Sequence, residues 1–144
     1  MVKKLLAQIK SKLEEKYGDD FTGLVLYGSY AKGKQHKYSD LDILVLFKFK
    51  VPINMVQRNK LVGDLFDDLE QEHRIAINPI ISSDCQIGKT FLTIEIADYA
   101  KILVDKNNAI TFLFNEIKND YKEGRLKRII KKGVNMIQIV ENAV

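Results

Sequence analysis

The stretch Leu41–Phe47, LDILVLF, is apolar at every position but one. A strand that shows one face to water alternates polar and apolar side chains, so a run that does not alternate needs cover on both faces. It predicts a central strand, with helices layered on the two sides of the sheet.

The surroundings of that strand, LYGSYAKGKQHKYSDLDILV over residues 26–45, carry the chemistry. Residues two apart on a strand project to the same face, so Asp40 and Asp42 place two carboxylates side by side while Leu41 and Ile43 turn into the core. Such a pair is costly unless a cation sits between them, and hard oxygen donors with open positions suit magnesium carrying substrate phosphates. Phe21–Tyr27 reads as the preceding strand and runs straight into Gly28 and Ser29. Glycine lets the backbone come close, and serine adds a hydroxyl beside the free N–H groups of a helix start, so the turn suits anionic oxygens. Lys32, Lys34 and Lys37 add positive charge to the same connection. A metal pair facing a phosphate cradle describes a nucleoside triphosphate site.

Elsewhere the pattern is of helices and strands in turn. Val2–Tyr17 reads as an amphipathic helix through Leu5, Leu6, Ile9 and Leu13, stopped by Gly18. Residues 54–72 read as a helix with Met55, Leu61, Leu65, Phe66 and Leu69 inward, 74–82 as a third strand, 89–97 as a short helix and 101–104 as a brief strand. One or two helices are expected from Asn108 onward. These elements predict an α/β (α+β) fold, a small mixed β-sheet with helices packed on it. The 144 residues suit one domain, 1–144, with a core over about 1–105 and a helical C-terminal segment over about 108–144.

The net charge of +4 is local: Lys118–Lys132 carries seven basic and two acidic residues, leaving −1 for the rest. Leu126, Ile129 and Ile130 fit one face of a helix there, so the expectation is a docked helix with a solvated basic face. Without interleaved aromatics it is a weak nucleic-acid surface. No apolar run is long enough to span a bilayer, and the N-terminus lacks the unbroken apolar stretch of a signal peptide, so a cytoplasmic protein is expected. Cys85 stands alone, which excludes a disulfide within the chain. His36 reads as a loop residue, His73 as structural, Tyr27 as packed, and Phe91, Phe112 and Phe114 as core.

Gly28 and Ser29, ten residues, Asp40, one residue and Asp42 together resemble the signature of the nucleotidyltransferase superfamily related to DNA polymerase β. More narrowly, the chain is similar to minimal nucleotidyltransferases, the single-domain branch that includes antitoxin partners of HEPN-type toxins. The resemblance implies that Asp40 and Asp42 hold magnesium or manganese, and that Gly28, Ser29 and Lys32 bind the phosphates of an NTP, ATP by expectation. It implies transfer of a nucleoside monophosphate to a hydroxyl of a protein partner or small molecule, with a HEPN-like protein or a second copy completing the acceptor site. The alternative is a degenerate nucleotidyltransferase fold kept for binding. The superfamily's third carboxylate falls here on Asn78 or Ala76 in RIAINPIIS. Asparagine can offer a carbonyl oxygen to a metal but cannot act as a base. Glu95 or Asp84 is a candidate for the missing carboxylate, although each reads more simply as a surface acid, and Pro79 marks the strand as an edge, end or bulge.

Overall fold

The computed structural model describes residues 2–140. In chain order its elements are helix α1 (Val2–Tyr17), a 3-10 turn (Gly18–Asp20), strand β1 (Phe21–Tyr27), helix α2 (Gly28–Lys32), β2 (Leu41–Phe47), α3 (Met55–Lys60), α4 (Gly63–His73), β3 (Ile77–Ser83), α5 (Phe91–Ile96), β4 (Lys101–Asp105), α6 (Ala109–Lys122), β5 (Leu126–Lys131) and β6 (Val134–Ile139). Four strands form a mixed sheet in the order β3-β2-β1-β4. β1 runs antiparallel to β2 and β4, and β2 runs parallel to β3. The expected mixed sheet with packed helices is what the chain forms.

β2 is interior and covered on both sides, as its composition requires. Leu41, Ile43, Val45 and Phe47 pack with Leu5, Ile9 and Leu13 of α1 and Phe66 and Leu69 of α4. Leu44 and Leu46 face the other way, against Ile94 and Ile96 of α5 and Ile110, Phe114 and Ile117 of α6. Full burial of each such side chain contributes roughly 1.5–3 kcal/mol. The second layer stops short of the start of β2, and Asp42 stands where it ends.

The edge at β3 is blocked at three of its outward backbone positions. In a parallel ladder alternate residues turn their backbone groups away from the partner strand. Leu41 N–H donates to Ala76 O (2.8 Å), which leaves Ile77, Pro79 and Ile81 facing outward. Ile77 N–H donates to the Glu70 carboxylate (3.0 Å), Pro79 has no N–H, and the Arg58 guanidinium donates to Ile81 O (3.3 Å). Pro79 thus lies on an edge strand, as its missing donor demands.

Several expectations need correction. The helix over 54–72 breaks at Leu61–Val62 into α3 and α4, because Gly63 is a poor helix former and the Tyr17 hydroxyl takes up Leu61 O (2.6 Å). Met55, in the first turn of α3, is 66% exposed rather than inward. Phe91 and Phe112 are exposed while Phe114 is buried. Residue 112 lies nearly opposite the Ile110–Leu113–Phe114–Ile117 stripe at 100° per residue, and Phe91 opens α5 off the buried face made by Thr93, Ile94 and Ile96.

The C-terminal basic stretch is helical only as far as Lys122. Gly124, at φ +80°, follows the helix end, and LKRIIKKGVNMIQI forms an antiparallel hairpin. Lys132 (φ +52°) and Gly133 (φ +76°) are the two central residues of its turn, the left-handed pair that a tight hairpin loop demands. Ile130, expected on an inward helix face, is 78% exposed. Leu126 and Ile137 pack against the body. Asp120, buried at the end of α6, binds Lys89 (2.8 Å) and Arg125 (2.8 Å) and anchors the hairpin's first residues. The Lys89 ammonium, with Arg125 beside it, holds the Asp120 carboxyl below the usual carboxylate range. Among the described residues no helix is long and apolar enough to cross a membrane.

Candidate active site

The site lies where β1 ends, β2 begins and β3 runs alongside. Gly28 has φ +73°, a conformation that costs most residues about 1–2 kcal/mol. Its missing side chain matters a second time: a β-carbon there would collide with Asp42 Oδ2 and lie 3.0 Å from Asp42 Cγ. The turn and the carboxylate are therefore packed against each other, fourteen residues apart in sequence and adjacent in space. Ser29 follows in the turn, and its carbonyl accepts from Lys34 N–H (2.9 Å).

Parallel pairing sets Asn78 opposite Asp42, and the Asn78 amide donates to Asp42 Oδ1 (2.9 Å). Of the two positions considered for the third ligand, the register brings Asn78 to Asp42. Tyr27 pairs with Asp42 from the other side. Burial first, and then the Asp42 charge, push the Tyr27 phenol up to about 12. Asp40 stands exposed at the end of the 33–40 loop, immediately before β2 and two residues from Asp42 in sequence.

Tyr99 was not singled out from sequence. Its hydroxyl accepts the Gly28 N–H (3.1 Å), and the Lys32 ammonium lies 4.4 Å from the centre of its ring. The structure thus gathers Gly28, Ser29, Lys32, Asp42 and Asn78 around one turn, with Tyr99 beneath it. Lys34 stays in the exposed loop, as does Lys37, which lies over the Tyr38 ring (5.5 Å). His36 organises the same loop: its Nδ1 accepts Tyr38 N–H (3.2 Å). Cys85 is exposed.

Neither alternative carboxylate reaches the site. Asp84 follows β3 at the opposite end of the sheet, where it accepts from the Thr22 hydroxyl (2.8 Å) and the Asn107 amide (2.6 Å). Glu95 pairs with Arg128 of the hairpin (3.3 Å). Among the described residues no three His, Cys, Asp or Glu side chains converge as a metal-binding group. The structure joins one carboxylate, Asp42, to the Asn78 amide, with Asp40 exposed just before the same strand. Asp42 Oδ2, filling the space a side chain at residue 28 would take, is a hard oxygen donor that suits a magnesium ion whose other positions are filled by phosphate and water.

A mixed sheet with a Gly-Ser turn pressed against the second aspartate of an Asp-x-Asp at the start of a strand is the arrangement of a nucleotidyl-transferring domain. The chain belongs to the nucleotidyltransferase domain family, whose sequence model matches residues 6–132. Two proteins of Methanocaldococcus jannaschii are similar in sequence. "Putative protein adenylyltransferase MJ1305" is 35% identical over 81 residues, covering 56% of this chain and 54% of that protein. "Putative protein adenylyltransferase MJ0126" is 35% identical over 69 residues, covering 48% and 66%. The chain therefore matches between about half and two thirds of the length of these relatives. Among solved structures, a toxin-antitoxin with AMP-PNP superposes with a TM-score of 0.57 at 20% identity, covering 83% of this chain and 88% of the other. A mutant of the toxin-antitoxin MntA-HpeT gives 0.58 at 18% identity with the same coverage. At these identities the likeness is one of fold.

Proposed function

We propose that the chain, acting as one domain over residues 1–144, is a divalent-metal-dependent nucleotidyltransferase that moves AMP from ATP onto a hydroxyl of a protein partner. The observation that carries this reading is the packing of the Gly28 turn against the Asp42 carboxylate, which puts a phosphate cradle and a metal ligand in contact. The two similar proteins named as protein adenylyltransferases support adenylyl as the group and protein as the acceptor. The neighbour with AMP-PNP supports an adenine nucleotide, and the toxin-antitoxin neighbours support a partner chain, for which a HEPN-type protein is the candidate.

In this reading Asp40 and Asp42 hold magnesium, while Gly28, Ser29 and Lys32 hold the β and γ phosphates. The ion would offset charge on the attacking and leaving oxygens. The acceptor oxygen bonds to the α-phosphorus, the bond from that phosphorus to the bridging oxygen breaks, and pyrophosphate leaves with it. Asn78 offers its amide to Asp42 and cannot take the acceptor's proton. That proton passes to solvent or to a base on the partner. The same amide favours a second reading, a nucleotide-binding antitoxin that no longer transfers.

Incubation with α-labelled nucleoside triphosphates, magnesium and the product of an adjacent gene tests the two. Label on the partner from ATP, absent with Asp42→Asn, supports transfer; ATP binding without label supports the binding module. Asn78→Asp separates them further. It restores a third carboxylate and a base, and general-base help is typically worth about 10²- to 10⁴-fold, so transfer should rise at least tenfold. Without metal the new carboxylate faces Asp42 in place of a donated hydrogen bond, so the melting temperature should fall and magnesium should restore it. An Asn78→Asp protein with unchanged transfer and no magnesium effect on melting would remove Asn78 from the site.

A further inference from the structure

Tyr99 sits in the connection between α5 and β4, 71 residues from the turn it touches. The pairing of β4 with β1 begins at Lys101↔Leu26, two residues short of Gly28, and so brings the connection alongside the turn. Tyr99 N–H donates to Ile96 O (3.2 Å) and Ala100 N–H to the same carbonyl (2.8 Å), which ties the residue to the end of α5. Its ring is thus held by the sheet and a helix end rather than by a loose loop.

The hydroxyl uses one lone pair on the Gly28 N–H, and its own proton has no acceptor among the described residues. A phenol has one proton to donate, and accepting a hydrogen bond polarises it toward donating a stronger one. Lys32 lies against the ring, so a cation and an unspent donor occupy the same place beside the Gly-Ser turn. We propose that Tyr99 is a phosphate-binding residue: its hydroxyl donates to a terminal phosphate oxygen of the triphosphate, and its ring seats the Lys32 ammonium that neutralises the same group. The inference rests on the nucleotidyltransferase reading and adds a residue to it. Burial and the nearby carboxylates of Glu95, Asp42 and Asp98 raise the phenol's ionisation point, so the donor proton stays in place at neutral pH.

The test is magnesium-dependent binding of ATP, AMP and inorganic tripolyphosphate to the full chain, by calorimetry, for the wild type, Tyr99→Phe, Tyr99→Leu, Lys32→Met and Asp42→Asn. Tyr99→Phe keeps the seat for Lys32 and loses the donor. It should weaken ATP and tripolyphosphate about tenfold and AMP less than twofold, since one hydrogen bond to a charged group is lost. Tyr99→Leu should weaken the two polyphosphates further, and Lys32→Met should then cost less in the Tyr99→Leu background than in the wild type. Equal losses for ATP and AMP in Tyr99→Phe, tracking a fall in melting temperature, would make Tyr99 a prop for the turn and overturn the proposal. So would Tyr99 variants that bind ATP like the wild type while Asp42→Asn loses it; the nucleotidyltransferase reading would then stand without Tyr99. A wild type that binds no triphosphate with magnesium would sink both.

Discussion

Gly28→Ala is expected to cut triphosphate affinity by about a hundredfold or more and to destabilise the fold by roughly 2–4 kcal/mol. Two costs add. The left-handed backbone at φ +73° is about 1–2 kcal/mol less favourable for alanine, and the new methyl meets Asp42 at Oδ2, Cγ and Cβ together. All three atoms belong to one side chain, so relief requires either the carboxylate or the turn to move. Either movement separates the turn proposed to cradle phosphate from the carboxylate proposed to hold the metal. Gly33→Ala is the control, because Gly33 has nearly the same φ, +68°, but open space around it. It should carry the backbone cost with little loss of binding. Denaturant midpoints and calorimetry on both variants decide the matter. Further replacing Asp42 by alanine in the Gly28→Ala protein should recover part of the stability and none of the binding. A Gly28→Ala protein that binds ATP like the wild type would show that turn and carboxylate act separately.

Asp40→Asn with Asp42→Asn should abolish magnesium-dependent ATP binding, again by about a hundredfold or more, and leave the metal-free protein as stable as before or slightly more so. The pair repels itself without a cation, and Asn at 42 still accepts the Asn78 amide through its carbonyl. Melting curves with and without magnesium separate the effects: the wild type should be stabilised by magnesium with ATP, the double variant should not. Tyr27 gives an optical check. Part of what raises its phenol to about 12 is the Asp42 charge, so neutralising Asp42 should lower the Tyr27 ionisation point in an ultraviolet titration. Metal-dependent ATP binding that survives in the double variant would move the metal elsewhere.

What the sequence disclosed follows the range of the forces involved. α1, β1 and β2 have the bounds read from their apolar patterns, because a 3.6-residue stripe ended by glycine, or a run with no polar alternation, has few other uses. Gly28 and Asp42 could be paired on paper, since a turn and the start of the next strand are bound to meet. Tyr99 could not. Its place depends on β4 folding back beside β1, and nothing near residue 99 announces that register. The hairpin was misread because Leu126, Ile129 and Ile130 satisfy a helical period over a window too short to test it. The longer clue was Gly133 between two runs that carry β-branched residues, Ile129 and Ile130 before it and Val134, Ile137 and Ile139 after it. Arg74, at φ +54°, ends α4 where no glycine marked a stop, so the third strand starts at Ile77 rather than Arg74.

The blocked positions on the edge of β3 disfavour one common way for a peptide to come to Asn78. Partners that recognise extended peptides commonly do so by letting them join a sheet as one more strand, hydrogen bond by hydrogen bond. Beside Asn78 that handshake is refused: one donor is held by Glu70, the next is missing at Pro79, and the acceptor beyond is held by Arg58. If the acceptor is a protein, as proposed, its chain cannot complete a regular strand pairing along these positions.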